Sequence, residues 1–158
     1  MNEYLLNLIQ QYKSKGILID TNLALLYLVG LLDISLIRNF SRTSMFTEED
    51  FERIKKFVDY FDFKVTTPNI LTEVSDLIDN RQDLQIVLRG YIQIVEELFV
   101  ESKEVCQEPK FIQFGLADMA TLVAAKDSYL VFTDDRPLYG YLVNSGIDAV
   151  NLDQIRMI

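Results

Sequence analysis

The chain has 158 residues, 49% hydrophobic and 25% charged, which suits one domain with a real core and excludes disorder or low complexity. Its 24 acids against 15 bases give a net charge of −9, the opposite of the basic face expected for non-specific nucleic-acid binding, and the absence of histidine removes imidazole from every mechanism. The longest uncharged stretch, Thr21 to Leu32, is 12 residues long, well short of the roughly 20 apolar residues of a membrane span.

The leading segment MNEYLLNLIQQYKSKG lacks a basic region and a small-residue cleavage site, so it does not read as a signal peptide. Its leucines and isoleucines at 5, 6, 8 and 9 predict a helix over 2–14, broken by Gly16. ILID at 17–20 reads as a short buried strand, followed by a helix from Thr21 that ends near Gly30. The segment 33–46 reads as loop plus a helical turn. Thr47 is a predicted N-cap with Asp50 as its reciprocal partner. Phe51, Ile54, Phe57, Val58 and Phe61 then form one apolar stripe at helical spacing.

A second strand is expected over Phe63–Thr66, and Pro68 opens a helix to about Asp79. A longer helix over 82–98 follows, then an edge strand over Phe99–Val105. The remaining expectations are a helix at 115–126, a strand at Tyr129–Thr133, a helix at Arg136–Val143 closed by Gly146, and a strand at Asp148–Leu152. Alternation of short strands with helices predicts an α/β fold, with sites beyond the carboxyl ends of the strands. The lone Cys106 cannot form an internal disulfide, which makes a reducing cytoplasm the expected location.

Five acids stand in unusually apolar settings: Asp20 in ILID, Glu73 in TPNILTEV, Asp118 in FGLADMATLVAA, and Asp134 and Asp135 in YLVFTDD. An unpaired ionised carboxylate buried in such surroundings costs several kcal/mol, on the order of a whole salt bridge broken. Repeated placement at strand ends therefore suggests acids gathered round a hard cation, Mg²⁺ or Mn²⁺, which prefers oxygen ligands. A cation held in this way activates water and stabilises charge on a phosphodiester without any protein nucleophile. Each acid also has a plainer reading. Asp20 can be a helix N-cap, Glu73 an exposed helix residue, Asp118 a first-turn acid, and Asp134 and Asp135 turn residues.

Taken in order, ILIDTN, TTPNILTEV, LADMATLVAA and VFTDD resemble the PIN-domain family, met in virulence-associated toxin nucleases and eukaryotic RNA-decay endonucleases. The resemblance spans about residues 16–152 and is carried by the set of motifs together. It implies one PIN-like domain over 1–158, with a leading helix at 1–15 and a helical insertion at 31–64 relative to compact members. The implied fold is a three-layer sandwich, a central parallel sheet of about five short strands flanked by helices. The implied activity is Mg²⁺- or Mn²⁺-dependent hydrolysis of RNA, with a homodimer and an antitoxin or other protein as possible partners. Asp20, Glu73, Asp118 and Asp135 would be catalytic metal ligands, with Asp134 the alternative or additional one. Asn22 would orient Asp20, and Thr133 would support the last acids.

Arg38, Arg42, Arg53, Lys55, Lys56 and Arg136 are candidate phosphate contacts, although the acids at 48, 49, 50 and 52 equally make the first five part of a solvated face. Two other functions compete. In one, a silent PIN-like module binds protein or RNA, using helices 21–32 and 47–61 as a docking face unless these are internal core. In the other, the chain is an aspartate-dependent phosphatase or receiver. Against it, a haloacid-type phosphatase needs an acid where Asn22 stands, and a receiver needs an acidic pair and a late lysine that are not evident.

Overall fold

The computed structural model describes residues 2–158. Its strands are β1 (Ile17–Ile19), β2 (Lys64–Thr66), β3 (Glu96–Glu97), β4 (Leu130–Thr133) and β5 (Ala149–Asn151). The helices are α1 (Glu3–Tyr12), α2 (Thr21–Leu32), α3 (Leu36–Asn39), α4 (Glu48–Asp59), α5 (Pro68–Ile78), α6 (Gln82–Ile94), α7 (Ser102–Val105), α8 (Phe111–Phe114), α9 (Leu116–Ala125), α10 (Arg136–Asn144) and α11 (Leu152–Arg156). All five strands are parallel, in the order β3-β2-β1-β4-β5. With right-handed crossovers, the connections running from β1 out to β3 and those returning to β4 and β5 fall on opposite faces. The result is the expected three-layer α/β sandwich.

The central strands are buried on both faces: β1 and β4 are fully enclosed along their length, as parallel strands between helices must be. α2 is buried from Leu23 to Gly30 and so is apolar all round, the pattern of an interior helix. It packs against α4, α5 and α6. The stripe Phe51, Ile54, Phe57, Val58 and Phe61 is also buried, with Phe57 edge-on to Phe132 of β4 at 4.7 Å between centroids. Helices 21–32 and 47–61 are therefore core, not a docking face. No described helix is long and apolar enough to cross a membrane.

Several boundaries differ from those expected, each for a local reason. Gly30 does not end α2, which runs on to Leu32. A Cβ at Gly30 would lie 2.1 Å from the Phe51 ring, so this glycine serves the close approach of α4 to α2. The edge strand forms at Glu96–Glu97, pairing with Val65 and Thr66, because α6 stops at Ile94 and Val95 turns extended. The residues expected as that strand instead include the helical turn α7, which buries Val105. The short helix α11 was not expected; Asn151 and Gln154 build a capping box at its start. The capping box at Thr47 and Asp50 forms as expected. Gly146, at φ +79°, closes α10, and Ile147 N–H donates to Leu142 at 2.9 Å in a Schellman arrangement.

Candidate functional site: acids at the switch point of the sheet

The chain leaves β1 towards β2 on one side of the sheet and leaves β4 towards β5 on the other. Neighbouring parallel strands whose connections diverge open a crevice at their carboxyl ends, the usual ligand position in open α/β sheets. Asp20 directly follows β1, and Asp134 and Asp135 directly follow β4. The pairing of Ile19 with Phe132 places these turns side by side.

Asp20 is buried at 7% exposure and caps α2, accepting the Leu23 N–H at 3.3 Å. It also accepts a hydrogen bond from the Thr133 hydroxyl. That hydroxyl in turn accepts the Asp135 N–H at 3.0 Å, so Thr133 ties the end of β1 to the turn after β4. Asn22 was expected to orient Asp20. Its side chain instead donates to Asp134 at 3.5 Å, because it lies one helix position beyond Thr21 and faces the β4 turn. Thr21, which sequence reasoning passed over although it adjoins Asp20, donates to Glu73 at 3.2 Å.

Glu73 is exposed at the middle of α5, the helix capped by Thr67 and begun by Pro68. Asp118 lies in the first turn of α9, whose start is set by Gly115 at φ +88°. Glu73 and Asp118 line one cleft of about 430 Å³. The plain reading of Asp20 as an N-cap is correct, and Asp135, read plainly as a turn residue, is the N-cap of α10 and accepts the Leu138 N–H at 2.8 Å. Capping occupies one carboxylate oxygen of each and does not exclude a second role.

The electrostatics link all five acids. Burial, the charge of Asp134 and more weakly that of Asp118 push the Asp20 carboxyl well above the usual range, against the pull of Thr133 and Leu23. Burial, Asp135 and Glu73 push Asp118 up to about 7. Burial raises Asp134 as well, with Asp135 adding to it and Asn22 and Arg156 opposing it. The choice between Asp134 and Asp135 therefore divides: Asp134 acts on Asp20, and Asp135 on Asp118. Arg156 had no sequence signal; its guanidinium is bound to Asp50 and Asp153, and its charge opposes the rise at Asp134.

Among the described residues, no three histidine, cysteine or acidic side chains converge into a ready-made cation site. The donor chemistry nevertheless suits a hard divalent ion: every candidate ligand is a carboxylate, and three of them have raised pKa values that a bound cation would lower. Opposite Thr133 in register, Asn151 leaves its buried side-chain N–H₂ without a partner.

The candidate phosphate contacts are scattered. Lys55 pairs with Asp59 at 2.7 Å and Arg53 with Glu49 at 2.7 Å, both along α4. Arg42 lies with Asp76 and Arg81 in a separate hollow. Arg38 and Lys56 are exposed on α3 and α4. Only Arg136, adjoining Asp135 and paired with Asp153 at 2.7 Å, stands beside the acids. No family model matches the chain, and neither a curated protein nor a solved structure matches it.

Proposed function

We propose that this chain is a divalent-cation-dependent nuclease that hydrolyses RNA phosphodiesters. The observation that carries the reading is the set of three carboxylates at the switch point of a parallel sheet, Asp20, Asp134 and Asp135, linked by charge to Asp118 and through it to Glu73. Stability alone does not call for such a cluster, since its members repel one another. Asp20, Glu73, Asp118 and the pair Asp134 and Asp135 would hold Mg²⁺ or Mn²⁺. When bound, the cation would supply an activated water and neutralise charge developing on the phosphate.

The protein's own part is positional. Thr133 donates a hydrogen bond to Asp20, Thr21 one to Glu73, and Asn22 a long one to Asp134. Such supports hold the carboxylates for an incoming ion without collapse of the cluster. Arg136, which adjoins Asp135, and Arg156, whose charge acts on Asp134, are the candidates for a phosphate contact. The resemblance to PIN nucleases supports the same chemistry and extends it to a toxin of a toxin–antitoxin pair.

A non-cutting binding module is the second reading, favoured by the lack of three converged ligands among the described residues. Two measurements separate them. Calorimetric titration with Mn²⁺ is expected to show binding to the wild type and none to a folded Asp20→Asn/Asp118→Asn variant. Cleavage of RNA in Mn²⁺ is expected to fall by about 100-fold or more in Asp118→Asn, the scale of losing a group that acts on the reacting centre. Full cleavage by the folded single variant would end the mechanism, and cation binding without any cleavage would favour the module.

A further inference from the structure

Beside Glu73 and Asp118, the same cleft is walled by Phe114 of α8. The ring of Phe114 lies nearly parallel to that of Tyr141 on α10, at 21° and 5.4 Å between centroids. We infer that this stacked pair is a platform for one unpaired nucleobase, with Phe114 facing the cleft and Tyr141 backing it. The inference rests on the nucleic-acid reading of the acidic site and narrows its substrate to strands with a base free to leave its partner.

Core packing uses α8 only in part: Phe111 and Phe114 lean on the core, yet none of its four residues is buried and Ile112 is 94% exposed. Phe114 itself is only half-buried. Its position is coupled to the acids through two elements at once. Gly115 follows it at φ +88° and leads directly into α9, which carries Asp118. Tyr141 belongs to α10, which Asp135 caps. A cleft of about 430 Å³ falls within the ordinary size of small-molecule sites, roughly 300–1,000 Å³, and has room for a nucleotide. With carboxylates and an aromatic ring in one cleft, a nucleotide would set its phosphate towards the acids and their cation and its base on the ring. Base–aromatic stacking tolerates any sequence because every base has a π face, but it requires that face to be uncovered, which a paired base inside a duplex does not offer.

The chain has no tryptophan, so Phe114→Trp installs a single reporter at the platform. A single-stranded 12-nucleotide RNA of mixed sequence, titrated in Mg²⁺ buffer, is expected to quench its emission. The pre-annealed duplex of the same sequence should quench far less. Tyr4→Trp, on the exposed face of α1, should respond to neither. By fluorescence anisotropy, Phe114→Leu, its fold checked by circular dichroism, should bind the single strand about 5- to 150-fold more weakly, the range found on removing a stacked ring. Equal binding by Phe114→Leu and wild type, or equal quenching by strand and duplex, would overturn the platform. If Asp118-dependent cleavage persists in that case, the nuclease reading stands alone. If neither the wild type nor Phe114→Trp binds RNA, both readings fall together.

Discussion

Two buried aspartates in this molecule live in opposite electrostatic worlds. Asp50 is 5% exposed and Asp20 7%, so burial does not distinguish them. Asp50 meets the Arg156 guanidinium in a two-pronged pair, at 2.8 and 2.9 Å, and closes the capping box of α4 through the Thr47 N–H. The Arg156 hydrogen bonds hold its carboxyl below the usual range, against the effect of burial. Asp20 has a hydroxyl and one amide for partners, faces two further acids, and has its pKa driven up. One carboxylate is satisfied by the fold. The other is only partly satisfied and is repelled by its neighbours. An acid that repels its neighbours is therefore a better pointer to chemistry than an acid that is merely buried.

The contrast can be broken at either end. Asp50→Ala leaves Arg156 with Asp153 alone as a carboxylate partner and removes the reciprocal half of the capping box, and should lower stability by about 2–4 kcal/mol, a discount on a fully buried pair because Arg156 is partly exposed. Chemical denaturation with and without Mn²⁺ measures it, and the loss should be the same in both. Asp118→Asn should do the reverse. Without a cation it removes the cost of burying the charge, then repulsion from Asp135 and Glu73, and is expected to raise stability by about 1–3 kcal/mol. Saturating Mn²⁺ should abolish or invert that gain, because the wild type then gains binding energy that the variant lacks. A destabilised Asp118→Asn in chelator would contradict this account of the cluster.

The smallest effect is in the pH profile. Asp118 has a folded pKa of about 7, above its unfolded value near 4, so between these pH values the native state holds a proton that the unfolded chain releases. Its contribution to stability is present below that window and is lost as pH rises through about 7. Asp50, with a lowered pKa, contributes in the opposite sense: its stabilisation is present above about pH 4 and disappears on acidification through its folded pKa. Melting temperatures in chelator should therefore rise modestly from pH 8 towards 5 and fall below 4, and Asp118→Asn should flatten only the upper limb.

The sequence announced the frame more clearly than its details. ILID and YLVFT are short apolar runs of the kind a buried parallel strand takes, and both strands lie where expected. Pro68 and Thr47 marked helix starts through chemistry local to the chain. The strand Glu96–Glu97 was illegible because two exposed glutamates carry no apolar period, and only the free edge of β2 makes them a strand. The candidate site divides in the same way. All five acids were visible from their apolar settings, and Thr133 from its place beside them. The partners of Asn22 and Thr21, and the reach of Arg156, depend on crossings between elements far apart in the chain, which residue spacing does not encode.

Gly30 and Phe51 make one such crossing, and its consequence is for how this sequence can drift. Because the ring of Phe51 occupies the space where a Cβ at Gly30 would stand, neither position is free on its own. Alanine at 30 alone drives overpacking, and leucine at 51 alone leaves a hollow. The two changes made together should cost less than the sum of their separate costs. Gly30 and Phe51 are in effect a single letter written at two places, and variants of this chain should change both or neither.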